Sequence, residues 1–341
     1  MAFIDRLGRP KKDSGFRDPD YWVWGASVLR DEAGTYHMFV SRWPRAIPFH
    51  PGWITDSEIV RCTAEVPEGP YAFREVVLGK RGAEYWDGRM AHNPRIMKVN
   101  GGYVLFYTGS THPFEEVEPG EAIDNSDRRT IVGRSNKRVG IATAPSLEGP
   151  WTRYDQPVLP TRPGTYYSFL TSNVAPIIEP DGTVFCLFKS RRYEGHVHSR
   201  MFIGAARALD VGGPYKVVST EPVFGPGHLG EIEDPSLWRD RAGYVMVAKD
   251  MTGELCGECG AGIIARSPDG LHWQLDDPSK AYSMNFTWSD GEAAEVGKLE
   301  RAFVLTEQGR PTHLFCAVST GGGTSGRPMD RTWNMVFPIE G

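Results

Sequence analysis

The chain has no long hydrophobic run. No window approaches the roughly 20 apolar residues of a helix that crosses a bilayer, so no membrane association is expected. The N-terminal stretch MAFIDRLGRPKKDSGF carries no apolar segment of signal-peptide length, and a cytoplasmic protein is the expectation. A helical period is also missing: no segment keeps apolar residues at i, i+3 and i+4 over roughly 12 residues. Basic runs are absent and the net charge is −5, which argues against nucleic acid and against an anionic membrane surface as partners. Cysteine is sparse and odd in number, at five, with no dense spacing, so a disulfide scaffold is not expected. Cys256 and Cys259 form a C-x-x-C pair, but no second pair stands near to complete a zinc site. His196 and His198 have metal-like spacing, and two histidines alone do not make a site.

Turns and aromatic residues are plentiful. There are 39 Gly and 26 Pro, and aromatic residues make up 11% of the 341 residues. The informative feature is a phrase that recurs five times: WGASVLRDEAGTYHMFVS, HNPRIMKVNGGYVLFYTG, SNVAPIIEPDGTVFCLFK, EDPSLWRDRAGYVMVAKD and ERAFVLTEQGRPTHLFCAVS. Each is a strand, a Gly or acidic turn, and a second strand rich in Tyr, Phe and Val. A second phrase follows the first four copies: CTAEVPEGPYAF, ATAPSLEGPWTRY, AARALDVGGPYKVV and ARSPDGLHWQL. Together the two phrases make a four-stranded unit repeated around a ring. The expected fold is all-β, a five-bladed β-propeller with four-stranded blades, spanning 1–341 as one domain. The tail Arg331 to Gly341, together with N-terminal residues, is expected to complete the fifth blade and so close the ring through the chain termini. The polar stretch 115–137 is a long insertion that reads either as a surface loop or as a lid or partner contact at the channel mouth.

In a propeller the first strand of each blade lines the central channel. The openings of these strands carry Trp24-Gly25, His92-Asn93, Asn173, Glu233-Asp234 and Glu300-Arg301, a polar set with three carboxylates. Asp87 and Asp20 lie in loops that lead to the same mouth. Buried charges are costly unless paired or used, so their convergence marks a candidate site. Several carboxylates in an aromatic cup suit glycoside cleavage, in which one protonated carboxyl serves the leaving oxygen and a second, ionised, activates water or attacks. The candidate catalytic residues are Asp87 as base, Asp234 as modulator or second carboxylate, and Glu233 or Glu300 as acid. Each has a structural rival: an Asx turn for Asp234, an Asp-Gly turn for Asp87, and an interblade ion pair for Glu300 with Arg301. Strand alternation sends Glu233 and Asp234 to opposite sides. Candidate substrate-binding residues are Trp24, Arg42, Trp43, His92, Asn93, Asn173, Lys189 and Arg301, with Trp86 and Trp288 as further stacking faces. The partner is then a carbohydrate, with no cofactor required.

The five-hairpin layout, the Asn-Pro and Glu-Asp-Pro openings and the EGPY and EGPW turns resemble the five-bladed propeller glycoside hydrolases, families 43, 62, 32, 68, 117 and 130. The likeness runs from about residue 20 to 338. It implies hydrolysis of a terminal sugar in a pocket at the channel mouth, with inversion as in family 43, and polysaccharide degradation as the setting. Some of these propellers hold a calcium ion in the channel. Family 43 is similar in its blade order of Asp base, Asp modulator and Glu acid, but this chain opens blade 1 with Trp24-Gly25-Ala26. Two other functions therefore stay open. One is a carbohydrate-binding propeller without catalysis. The other is a phosphorylase resembling family 130, for which Arg42, Arg95, Lys189, Arg191 and Arg301 are the candidate phosphate grip. A homo-oligomer also stays open.

Overall fold

A computed structural model describes residues 1–195, 197–323 and 325–341, so the His196 of the His196/His198 pair lies outside the described residues. The chain runs through five antiparallel blades in sequence order. Their innermost strands are Tyr21–Arg30, Met90–Val99, Leu170–Ile178, Ile232–Asp240 and Lys298–Glu307. These five strands pack against one another around a central axis. Four blades have four strands. The fifth has three, Lys298–Glu307, Arg310–Ser319 and Thr332–Pro338. N-terminal residues lie along its outer edge, where Leu7 bridges Ile339 and Phe16 bridges Asn334. The repeated turns also share one geometry: Gly69, Gly149 and Gly213 all have positive φ and precede a cis proline.

The hydrophobic phrases become the packing between blades. Apolar residues of neighbouring sheets interlock, as Val245, Ile264, Leu314 and Met335 do between blades 4 and 5. Cys62, Cys186 and Cys316 are buried within this packing, as small apolar residues are. Among the described residues no helix is long and apolar enough to cross a membrane.

Two short helices interrupt the β pattern at the same end of the channel. Phe49–Asp56 follows the second strand of blade 1 and is broken at His50–Pro51. Arg128–Ser135 lies inside the 115–137 insertion and is capped by Asp127, whose side chain accepts from the Arg129 amide. The insertion packs against blade 1. Val117 and Ile123 are buried with Trp22, Trp24 and Trp43. The bare Gly133 lets the second helix approach Ile54 of the first, since a Cβ there would come within 2.8 Å of Ile54 Cγ2.

Candidate active site

Every inner strand carries one extra residue at the same station, a β-bulge relative to its partner strand. The shifts fall between Trp24 and Ala26, His92 and Arg95, Ser172 and Ala175, Glu233 and Ser236, and Glu300 and Phe303. At each bulge one residue turns to positive φ: Gly25, Asn93, Asn173, Asp234 and Arg301, all between 50° and 58°. Glycine adopts this region freely, and Asn and Asp tolerate it. Arg301 is the exception, and strain of this kind persists where surrounding contacts hold it.

The bulge overturns the expected alternation. Glu233 and Asp234 do not diverge to the channel and a neighbouring blade; both face the channel, at two depths. The residues before the bulge rise to the mouth, where Trp24, His92, Glu233 and Glu300 line one pocket. The five positive-φ residues gather beneath it on the axis. There Asn93 donates to Asn173 at 2.7 Å, Asn173 donates to Asp234 at 2.7 Å, and Arg301 Nη1 donates to Asp234 Oδ1 at 2.6 Å. With its amide turned over, Asn93 instead accepts from Arg301 at 2.7 Å, in place of its donation to Asn173. Below the ring, Arg95 donates to the carbonyls of Ala26, Pro235 and Ala302. The channel is thus plugged, and the upper pocket is separate from a cavity of about 750 Å³ at the other end. That lower cavity carries one carboxylate, Glu307.

The upper pocket has a volume of about 420 Å³ and is walled by Trp24, Trp43, Phe49, Trp53 and His92. Trp53 stacks on His92 at 5.1 Å. Charge dominates the rest of the wall. Seven cations line it (Arg134, Lys137, Lys189, Arg191, Lys249, Lys298 and Arg301) against two carboxylates, Glu233 and Glu300. Lys249 Nζ lies 2.5 Å from Glu300 and 3.9 Å from Glu233. Lys189 pairs with Glu233 on its other side, and Lys298 lies 3.2 Å from Glu300.

These neighbours set the protonation states. Burial raises the Glu233 carboxyl, but Lys189, Lys249 and Arg301 outweigh it and hold it well below the usual carboxylate range. For Glu300, burial raises and Lys249 and Lys298 lower; the net direction is down. Asp234 goes the other way. Burial lifts it, Glu233 and Glu300 add to the rise, and Arg301 and Lys189 oppose. One of its oxygens, Oδ2, is buried with no hydrogen-bond partner among the described residues. Burial, with Arg301, Lys137 and Lys189 nearby, holds the His92 imidazole far below its ordinary value, so it is neutral at pH 7.

Of the residues singled out from sequence, Glu233, Glu300, Trp24, Trp43, His92, Lys189 and Arg301 meet at this pocket, and Asp234, Asn93 and Asn173 form the ring under it. Five stand elsewhere. Asp87 is fully buried in blade 2, bonded to Arg81 at 2.7 Å, to Tyr107 at 2.7 Å and to Arg153 at 3.2 Å. Asp20 sits in the loop before blade 1, away from the pocket lining. Arg42 is held between Asp18 and Glu58, each at 2.9 Å, on the side of Tyr21 and Phe73. Trp86 packs on Tyr107 and Trp288 on Phe286, both away from the pocket. Of the proposed phosphate grip, Lys189, Arg191 and Arg301 line the pocket, whereas Arg95 lies under the ring and Arg42 outside. Among the described residues no group of three His, Cys, Asp or Glu is arranged to hold a metal ion. On the axis stand the guanidinium groups of Arg301 and Arg95, charges that repel a cation.

Sequence reading missed Phe49, Trp53, Arg134, Lys137, Lys249 and Lys298. Lys249 was within reach. It pairs with Glu233 in register as Lys189 pairs with Ser172, so aligned copies place both lysines opposite a strand opening. Trp53, Arg134 and Lys137 belong to segments outside the repeat, and no pattern assigns them a position.

No protein-family model matches the chain, and no curated protein matches it in sequence. Solved structures do match over almost the full length. Zg3597, a family 117 glycoside hydrolase of the marine bacterium Zobellia galactanivorans, aligns with a TM-score of 0.68 at 16% identity, over 98% of this chain and 89% of that one. BT0996, in an RGII complex, aligns with a TM-score of 0.67 at 13% identity, over 98% and 93%. CoXyl43, a family 43 β-xylosidase/α-arabinofuranosidase from a compost microbial metagenome, in complex with xylotriose, aligns with a TM-score of 0.58 at 14% identity, over 95% and 94%. This chain therefore shares the five-bladed propeller fold of family 117, family 43 and related glycoside hydrolases.

Proposed function

We propose that the protein is a glycoside hydrolase acting on a terminal sugar in the pocket at the channel mouth. The observation that carries this reading is the pair of glutamates, Glu233 and Glu300, set around the single ammonium of Lys249 in an aromatic cup. Lys189, Lys249 and Arg301 hold Glu233 well below the usual carboxylate range, so it stays ionised, as a base requires. Glu300 takes the acid role once substrate draws Lys249 or Lys298 away from it. In that step the proton of Glu300 passes to the glycosidic oxygen as the C–O bond breaks. Water bonds to the anomeric carbon and gives its proton to Glu233, so the sugar inverts. Asp234 does not reach the pocket lining and acts through Arg301, as a positioning residue. Neutral His92, with its Nδ1 2.7 Å from Ser57 Oγ, offers its other nitrogen as a hydrogen-bond partner for a ring hydroxyl. Glu233→Gln and Glu300→Gln should each lower kcat/KM at least about a hundredfold on a panel of aryl glycosides while the fold persists. Full activity in both variants would overturn the reading. Release of no sugar from any glycoside would favour a carbohydrate-binding propeller.

A second reading is phosphorolysis, favoured by the clustering of Lys189, Arg191 and Arg301 on one pocket. Turnover that requires inorganic phosphate distinguishes it.

A further inference from the structure

We propose that the pocket selects a sugar bearing a carboxylate, a uronic acid, and that Arg134, Lys137 and Arg191 form the subsite for that carboxylate. The inference rests on the pocket being the sugar site proposed above and adds the charge of its ligand.

The chain as a whole is acidic, with a net charge of −5, yet its upper pocket gathers seven cations against two carboxylates. Lys189, Lys249 and Lys298 are paired with those glutamates, and Arg301 with Asp234. Three cations remain without any carboxylate within 4.0 Å among the described residues: Arg134, Lys137 and Arg191. Arg134 donates to the Asn125 side chain at 2.8 Å, and Arg191 to the Ser199 carbonyl and the His198 ring. Lys137 is only 3% exposed and lines the pocket. Its ammonium makes no hydrogen bond or ion pair to any described residue. Its one close partner among them is the Trp53 ring, 4.9 Å from Nζ.

A buried ammonium without a counter-ion is costly. Burial first, then Lys189, Arg134, Arg191 and Arg301, pull its proton affinity far down. A cation–π contact returns about 0.5–2 kcal/mol, less than the several kcal/mol of desolvation for a buried ion. A Met would fill the same space and pack on Trp53 without that penalty. The arrangement makes sense when a ligand brings the missing negative charge. Two guanidinium forks and an ammonium suit a carboxylate.

The ring of the ligand is argued from the opposite wall. A free phosphate fills far less than about 420 Å³, and Trp53, Trp24 and Phe49 give the wall an aromatic side compatible with the C–H groups of a sugar. The ligand charge also serves the chemistry. An anion added to the same pocket repels the Glu300 carboxylate and so lifts that carboxyl toward protonation.

Calorimetric titration of the intact protein with glucuronate, galacturonate, glucose, galactose and inorganic phosphate tests this. The uronates should bind at least about tenfold tighter than the neutral sugars, with an advantage that shrinks at high salt. Lys137→Met and Arg191→Gln should each abolish that advantage. Lys137→Met should also raise Tm, which separates lost binding from lost folding. Equal affinity for neutral sugars, binding of phosphate alone, no binding of any sugar, or variants that keep the uronate preference would each overturn the proposal. Uronate-selective binding with no sugar released from uronosides would keep it and reject the hydrolase. Turnover confined to neutral glycosides would do the reverse.

Discussion

Arg301 reaches Asp234 on the channel axis at 2.6 Å, and the station that neighbours it in blade 1 is bare Gly25. A Cβ on Gly25 would stand 3.4 Å from Arg301 Cγ and 3.2 Å from Asn93 Oδ1. The departure of blade 1 from an acidic opening thus has a local cause: the long side chain of blade 5 occupies the space that a blade 1 side chain would need. Gly25→Ala should cost about 1–2 kcal/mol through the left-handed backbone alone, read as a drop in the denaturation midpoint. Gly25→Asp should cost more, and a Gly25→Asp variant as stable as the parent would refute the steric account.

Arg301 also neutralises a carboxylate that is 2% exposed. Arg301→Met leaves Asp234 buried and unpaired, a loss of about 3–5 kcal/mol. Adding Asp234→Asn should recover part of it, because the uncompensated charge is gone. Urea unfolding of the single and double variants measures the coupling. Simple additivity would mean the two side chains do not depend on each other.

Lys249 holds both pocket glutamates down. Lys249→Met should therefore move the acid limb of the pH–rate profile upward, with Lys189, Lys298 and Arg301 still in place to limit the shift. The stability sign follows from the same directions. Both folded carboxyls lie below their unfolded values, so their contribution is full above the unfolded value and is lost as pH falls through the folded one. The variant should lose stability at a higher pH than the parent. An unmoved pH profile would remove Lys249 from the account of protonation.

Asp87 is expected to matter for folding and not for turnover. It is fully buried between Arg81 and Arg153 and carries the Tyr107 hydroxyl. Asp87→Asn should lower stability by about 2–3 kcal/mol while kcat stays within a few-fold of the parent. A hundredfold loss of kcat with unchanged stability would return Asp87 to the catalytic set.

The legible part of the site is the part carried by the repeat. Trp24, His92, Glu233 and Glu300 occupy one position in four of the five copies, and aligning the copies is enough to bring them together. Asp87 stands apart because its nearness to His92 in sequence is not nearness in space. The bulge puts His92 on the pocket wall while Asp87 folds back under Arg81. Of the cationic wall, Lys189, Arg191 and Arg301 are legible, whereas Arg134 and Lys137 are not, because they come from an insertion that has no counterpart in other blades.

By itself the sequence determined the architecture. Alternating apolar strands and turn residues repeat five times, and only a ring of sheets buries all of them. The tertiary structure decided depth and charge. The five bulges turn one residue per blade onto the axis and leave its predecessor at the mouth, a choice of left-handed backbone that Asn, Asp and even Arg accept only when neighbouring blades hold them there. It also decided that seven cations share one cavity, since electrostatics acts through space between segments that the chain keeps far apart.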